Sequence, residues 1–474
     1  MKSNMIRIGL FGIGLDTYWN QFDGLLDNLK KYQSQIREKL EGFGVEVIDA
    51  GMVDNPEKAR DASILLKSED VDMVFLYIST YALSSTVLPV VQKVKAPIIL
   101  LNLQPVPQLD YEKFNALADR GKMTGLWLEH CQACSVPEIA SVFNRSGIPY
   151  NIVSGYLQDK EAWTDIKEWT EAARVAKAMN NNRMGILGNY YGGMLDVYTD
   201  LTRQSAAFGT HFEILEMCEL KKNRDAVSDE QVKTKIAEFQ SAFDVASDCE
   251  QEEIERAART SVALDKLASD HQLGSLAYYY EGQPGNEYEN IVTSVIAGNT
   301  LLTGKNIPVA GECEVKNAQA MKIMAEFGAG GSFSEFYLMD FTDDVVYLGH
   351  DGPAHFAIAE GRVKLVPLPV YHGKPGKGLS IQMTVKHGPV TLLSVAEGKD
   401  CIFLLVAEGE SVPGPVLQIG NTNSRYRFTV GAKEFINRWS TQGPAHHCAI
   451  GVGHIANKIE KLGKLLNLEV IRIN

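Results

Sequence analysis

The chain has 474 residues, 45% hydrophobic and 22% charged, a balance that excludes a disordered or fibrous protein and allows about three domains at roughly 150 residues each. With 46 Lys and Arg against 59 Asp and Glu, the net charge of −13 repels nucleic-acid phosphates and anionic lipid, so neither nucleic acid nor a membrane is an expected partner. The longest apolar runs, such as Val74-Phe75-Leu76-Tyr77-Ile78, are strand length, short of the roughly 18 residues a membrane span needs.

The N-terminal residues enter a strand pattern without the apolar stretch or cleavage site of a secretory leader, so a cytoplasmic location is expected. Residues 6–13 are apolar and β-branched. Residues 20–43 have helical apolar spacing and end at Gly44, and 45–49 form a second short strand. Two more apolar runs, 71–79 and 96–101, each follow a polar helical segment, 56–67 and 83–95, which is the alternation of a parallel, doubly wound sheet. A second cycle runs from the strand 183–188 through a helix at 194–208 and a strand at 212–217. It continues through charged helices at 229–246 and 250–271, a strand at 273–280, a helix at 286–302 and a short strand at 307–309. Beyond about residue 330 the pattern becomes short strands between Gly, Pro, Asn and Asp, at 345–348, 363–368, 379–385, 390–395, 401–406, 416–419 and 426–430. A helix at 450–466 and a strand at 468–473 close the chain. The expected fold class is α/β: two doubly wound α/β domains, 1–135 and 136–328, followed by a β-rich C-terminal domain, 329–474.

Seven cysteines at irregular spacing suit reduced thiols, and the Cys131/Cys134 pair reads as buried small residues rather than a redox or zinc site. Gly12-Ile13-Gly14 follows the first strand, but position 17 is Thr and no phosphate-binding loop motif occurs, so nucleotide chemistry has little support. The histidines carry more information. Seven of the ten, at 350, 355, 372, 387, 446, 447 and 454, fall in the last 125 residues, where even scatter would place about three. Carboxylates accompany them. Glu312 follows the strand at 307–309, and Glu335 sits in Ser332-Phe333-Ser334-Glu335-Phe336 after a glycine-rich run. Acids in such settings are costly to bury unless paired or metal-bound. Together with His350 and one of His446 and His447 they would form a carboxylate and imidazole site suited to Mn²⁺ or Mg²⁺, and a neighbouring carboxylate could then carry a proton between adjacent carbons.

At these residues the chain resembles the L-arabinose isomerase and L-fucose isomerase superfamily, the arabinose branch more closely. The matching stretches are Gly311-Glu312 leading into a helix at 316–324, Ser332-Phe333-Ser334-Glu335, Val346-Tyr347-Leu348-Gly349-His350 and Ala445-His446-His447. Weaker matches are Gly192-Gly193-Met194, Thr80-Tyr81 and Tyr279-Tyr280-Glu281. The resemblance implies three domains, two α/β domains and a barrel-like C-terminal one, and an Mn²⁺-dependent aldose–ketose isomerase, with Mg²⁺ or Co²⁺ as substitutes, acting on a sugar such as L-arabinose through a cis-enediol. It implies Glu312 and Glu335 as acid and base, and Glu312, Glu335, His350 and His447 as metal ligands. Because the spacing from the second glutamate to the first histidine departs from the family's, Asp351 and His355 stay alternatives to His350. Tyr81, Met194, Tyr280 and His446 are implied on the sugar, as are His130 and Gln132, which stand in altered order. A trimer or hexamer is implied as well.

Two rival readings stand beside it: a non-catalytic sugar-binding protein, and an isomerase or epimerase of a rarer or modified sugar. The run 372–378, His-Gly-Lys-Pro-Gly-Lys-Gly, reads as a solvated hairpin connection more than as a basic loop over a substrate. Glu314 is expected to support the site from behind or to lie at the surface.

Overall fold

The computed structural model describes residues 5–281, 285–369 and 377–473. The chain divides into two compact units, Met1–Lys177 and Ala178–Asn474.

In the first unit β1 (Arg7–Ile13), β2 (Glu46–Val53), β3 (Met73–Tyr77), β4 (Ile98–Gln104) and β5 (Tyr150–Tyr156) form one parallel sheet in the order β2-β1-β3-β4-β5. Every residue of β3 is buried, as befits a central strand covered on both faces. The helix Leu25–Glu41 turns Leu25, Leu29, Ile36 and Leu40 inward at helical spacing. Asn55 caps the helix Pro56–Ser68 by accepting from the Lys58 N–H, with proline in its first turn. The fifth strand follows the helix Gln132–Ser146, inside which the expected boundary at 135 falls.

The second unit opens with β6 (Arg183–Gly188), β7 (His211–Leu215), β8 (Asp244–Val245), β9 (Ser275–Tyr279) and β10 (Val309–Ala310). Of these, four make a parallel sheet in the order β10-β9-β6-β7. Then come β11 (Gly330–Asp340), β12 (Val345–His350), β13 (Lys364–Leu368), β14 (Gly378–Gln382), β15 (Gly388–Glu397), β16 (Ile402–Val412), β17 (Thr422–Arg427), β18 (His447–Val452) and β19 (Glu469–Ile473). Six of them close into an antiparallel barrel, β15-β18-β11-β12-β17-β16, with β16 returning to β15. β19 lies parallel on β16, while β14, β13 and β8 form a small separate sheet. The expected α/β architecture with a β-rich, barrel-like C-terminal part is therefore the observed one.

The helix Val315–Glu326 is buried from Val315 to Ala325 and packs against β9 and β10 as well as β11, β15 and β18. A single apolar core draws on strands of both the parallel sheet and the barrel, among them Leu187, Leu276 and Val309 with Leu348, Leu392 and Leu405. Several elements differ from expectation. The helix expected at 194–208 is a 3-10 turn, Leu195–Val197, followed by the helix Leu201–Phe208, which Asp200 caps. The helix expected at 450–466 begins only at Ala456, because residues 447–452 pair as β18 and Gly453 turns the chain at φ 91°. Residues 416–419 pair with no strand. No helix among the described residues is long and apolar enough to cross a membrane.

Candidate active site

Barrel register builds half of the site. Glu335 on β11 pairs across to Gly349 on β12 and to His447 on β18, and His350, at the end of β12, has its ring 5.2 Å from that of His447. Phe333, two residues earlier on the same face of β11, lies between the two imidazoles, 4.4 Å from each ring.

The other half comes from the link after β10. Glu312 and Cys313 both adopt left-handed backbone, φ 56° and 57°, a conformation that costs non-glycine residues of order 1–3 kcal/mol each and is retained where a site needs it. Glu312 Oε2 reaches within 3.5 Å of His447 Nε2 and 3.6 Å of His446 Nε2, and Glu312 Oε1 lies 3.9 Å from His350 Nε2. Glu335 Oε2 lies 3.8 Å from His446 Nε2. Glu312, Glu335, His350 and His446 face a cavity of about 560 Å³ that Tyr191, Met194, Tyr279, Tyr337, Asp351 and Asn421 also line, and the side chain of His447 is fully buried.

Each imidazole has a different partner on its other nitrogen. His447 Nδ1–H donates to Glu314 Oε2 at 2.6 Å, both residues being buried, which leaves the Nε2 electron pair facing Glu312. His446 Nδ1–H donates to Asp196 Oδ2 at 2.6 Å. His350 Nδ1 instead accepts from the Gly352 N–H at 2.9 Å, placing the proton of the neutral ring on Nε2.

The close approach of Glu312, opposed by burial and reinforced by Asp196, raises the pKa of His446 to about 9. Burial pushes the Glu335 carboxyl above its ordinary range, against the pull of His447 and His446. For Asp196 burial acts upward, but the hydrogen bonds from His446 outweigh it and hold the carboxyl low.

His447 Nε2 and Glu312 Oε2 are two of the buried side-chain atoms that have no hydrogen-bond partner among the described residues. Two electron-rich atoms facing each other at 3.5 Å call for a proton or a cation between them. Ligand atoms of Glu312, His350 and His447 lie within 4.8 Å of one another, and so do those of Glu335, His446 and His447. Carboxylate and imidazole without thiolate fit a divalent cation of the Mn²⁺ class; of the two thiols adjacent in sequence to these groups, Cys448 is fully buried and Cys313 lies with its Sγ 3.8 Å from the Ala277 carbonyl, and neither joins the ligand groups. The Nε2 proton of His350 fits ligation less well than the free electron pair of His447.

No family model matches the chain. Among curated proteins, it is 21% identical over 351 residues to the L-arabinose isomerase of Nocardioides sp. (strain ATCC BAA-499 / JS614), covering 71% of this chain and 69% of that protein. It is 18% identical over 441 residues to the sulfoquinovose isomerase of Priestia aryabhattai, covering 92% of this chain and 94% of the relative. To the L-arabinose isomerase of Bacillus subtilis (strain 168) it is 24% identical over 217 residues, 43% of this chain and 42% of that one.

The chain is similar to sugar isomerases.

That similarity agrees with the resemblance read from the motifs and with an isomerase enzyme. A solved periplasmic solute-binding protein from Actinobacillus succinogenes 130z with bound D-allose also aligns, at 13% identity over 59% of this chain and 79% of that one, but its TM-score of 0.17 carries no fold argument.

Of the residues expected at the site of this isomerase-like chain, Glu312, Glu335, His350, His446 and His447 come together and Met194 lines their cavity. Asp351 lines it too, whereas His355 is buried outside it with both ring nitrogens unpartnered, and burial lowers its pKa. Tyr280 is not a lining residue; its ring packs edge-on against Tyr288 at 5.4 Å, and Tyr278 and Tyr279 line the cavity. In the first unit Gln132 is buried, donating to the carbonyls of Ser79 and Glu129, and His130 Nδ1 meets the Leu126 carbonyl at 2.9 Å. Tyr81 packs at the edge of a small core with Leu128 and Cys131, and Cys131, pushed up to about 12 by burial, has the character of an inert thiol. Residues 372–376 of the basic loop lie outside the described residues. Sequence reasoning missed Asp196, although it stands two residues after Met194, because a lone acid carries no motif.

Proposed function

We propose that the chain is a metal-dependent aldose–ketose isomerase acting on L-arabinose or a related sugar. The observation that carries this reading is the meeting of Glu312, Glu335, His350 and His446 at one cavity, with the buried His447 Nε2 and Glu312 Oε2 facing each other unpaired. Glu312, Glu335, His447 and His350 would hold the cation, Mn²⁺ first and Mg²⁺ or Co²⁺ as substitutes. Bound there, the cation supplies electrophilic polarisation of a carbonyl and the neighbouring hydroxyl.

The protein's own groups then move the protons. One carboxylate takes the proton from C2 and returns it to C1, and the other serves the hydroxyl proton, by way of a cis-enediol. A carboxyl that burial has moved upward, as at Glu335, is suited to holding a proton between the two transfers. His446, between the two carboxylates, supplies a hydrogen bond to the sugar, and Met194 packs on it. Tyr81, His130, Gln132 and Tyr280 remain proposed sugar contacts by resemblance, together with a homo-oligomer of three or six chains, a cytoplasmic location and the division at 135/136 and 328/329.

The test is isomerisation of L-arabinose, D-galactose, L-fucose and sulfoquinovose by protein stripped with EDTA and then resupplied with Mn²⁺. Ketose formed only with metal is the expected result. Sugar bound without turnover by metal-loaded protein would favour the sugar-binding reading instead.

A further inference from the structure

Asp196 and Lys316 are left unused by the isomerase reading. Asp196 lies in the 3-10 turn Leu195–Val197, and its Oδ2 accepts from both the backbone N–H of His446 at 3.0 Å and the ring Nδ1–H at 2.6 Å. The carbonyl of the same residue accepts from Lys316 Nζ, and Lys316 is a buried lysine in the first turn of the helix Val315–Glu326. The loop holding the turn is braced elsewhere as well. The Tyr191 N–H donates to the Glu312 carbonyl at 3.4 Å, and Tyr198 Oη accepts from the Gly193 N–H at 3.2 Å.

One short segment therefore presents three side chains at two-residue intervals. Glu312 faces the imidazoles, Glu314 holds His447, and Lys316 holds the residue that holds His446. The two histidines differ in what packing does for them. The side chain of His447 is fully buried, whereas that of His446 is 36% exposed. A half-exposed imidazole has a broad, roughly two-fold preference about its second side-chain torsion, so packing alone does not decide which nitrogen points at the cavity. A charge-assisted bond of 2.6 Å to a carboxylate on Nδ1 does decide it.

We propose that Asp196 is a positioning residue for His446, anchored through its carbonyl by Lys316, so that His446 Nε2 is held beside Glu312 and Glu335 where the sugar hydroxyls enter. The proposal rests on the isomerase reading for its kinetic consequence but not for its geometric one.

The test uses the full chain labelled with ¹⁵N-histidine, in wild-type, Asp196→Ala and Asp196→Asn forms, with His446→Gln assigning the resonance. Wild-type protein should show a downfield, exchange-protected Nδ1–H signal from His446 that Asp196→Ala abolishes and Asp196→Asn weakens. On whichever aldose the wild type turns over, kcat/KM should fall about 10- to 100-fold in Asp196→Ala, with partial recovery in Asp196→Asn and with Mn²⁺ affinity and Tm little changed. Persistence of the signal in Asp196→Ala overturns the proposal. So does a parallel loss of Mn²⁺ affinity and Tm, which marks a merely structural residue. If the wild type isomerises no aldose, the isomerase reading fails, and the resonance alone still decides whether Asp196 orients His446.

Discussion

Glu335 and Glu314 are both carboxylates beside His447, yet they ask for different experiments. Glu335 faces the cavity and Glu314 lies behind the imidazole, bonded to its Nδ1–H. Replacing Glu335 by Gln keeps volume and removes the proposed proton carrier, so turnover should drop about 100- to 10,000-fold while the circular dichroism spectrum is unchanged. Near-normal isomerisation would remove Glu335 from the chemistry. Glu314→Leu leaves a buried Nδ1–H unpaired, which should cost about 1–3 kcal/mol of stability and about 10- to 100-fold in Mn²⁺ affinity, read by denaturant melts and calorimetric titration. Glu312, Glu335, His350 and one of His446 and His447 were legible in the sequence, because an excess of histidine beside glycine-flanked acids is a composition signal, while Glu314 was left between a supporting role and the surface. The roles within the set were not, since a side chain's facing is fixed by register and by bonds such as Glu314 to His447 that join residues 133 positions apart.

Elements carry their own predictions. Gly188 ends β6 with φ 96°, and a Cβ placed there would lie 1.9 Å from the Tyr279 carbonyl oxygen on the neighbouring strand. Gly188→Ala combines strain with a backbone clash, so a loss of at least about 2 kcal/mol is expected, with slower turnover because Tyr279 lines the cavity; a melting curve within error of wild type would contradict this. At the C-terminal end of the helix Gln251–Asp270, His271 donates to Glu219, and that bond raises its pKa against a smaller lowering by burial. A raised histidine contributes stability that is fully present below its unfolded pKa of about 6.5 and is lost as pH rises through the folded value. His271→Gln should therefore cost stability at pH 5.5, by less than about 1 kcal/mol given the exposure of the pair, but not at pH 9, read by denaturant melts at the two values. An equal effect at both values would show that charge plays no part. Strand β11 was absent from the elements expected of the sequence, where its first residues read only as a glycine-rich run. Gly330 and Gly331, φ 95° and 103°, begin β11, and a Cβ on Gly331 would lie 2.8 Å from the Met321 carbonyl oxygen, so these glycines let a helix and a strand approach closely.

At the scale of the whole molecule, two compact units with separate cores imply that unfolding need not be a single transition. The proposed ligands belong to the second unit. Saturating Mn²⁺ at about 100 times its Kd should add about 2.7 kcal/mol to that unit alone. Calorimetry with and without EDTA reads this as one transition that moves and one that does not; equal shifts of both, or none, would contradict the assignment.

Local information sufficed for much of this protein. Alternation of apolar runs with amphipathic segments, and then a change to short strands between turn residues, determined an α/β chain ending in a β-rich domain, because side-chain period and turn chemistry are properties of neighbouring residues. The acids and histidines from 312 to 447 were visible for the same reason. Only the tertiary structure decided that six strands close into a barrel, that residues 447–452 are a strand rather than the start of a helix, and which nitrogen of each imidazole faces the cavity. Those outcomes depend on pairing partners distant in sequence, and neither periodicity nor composition records which distant residues will meet.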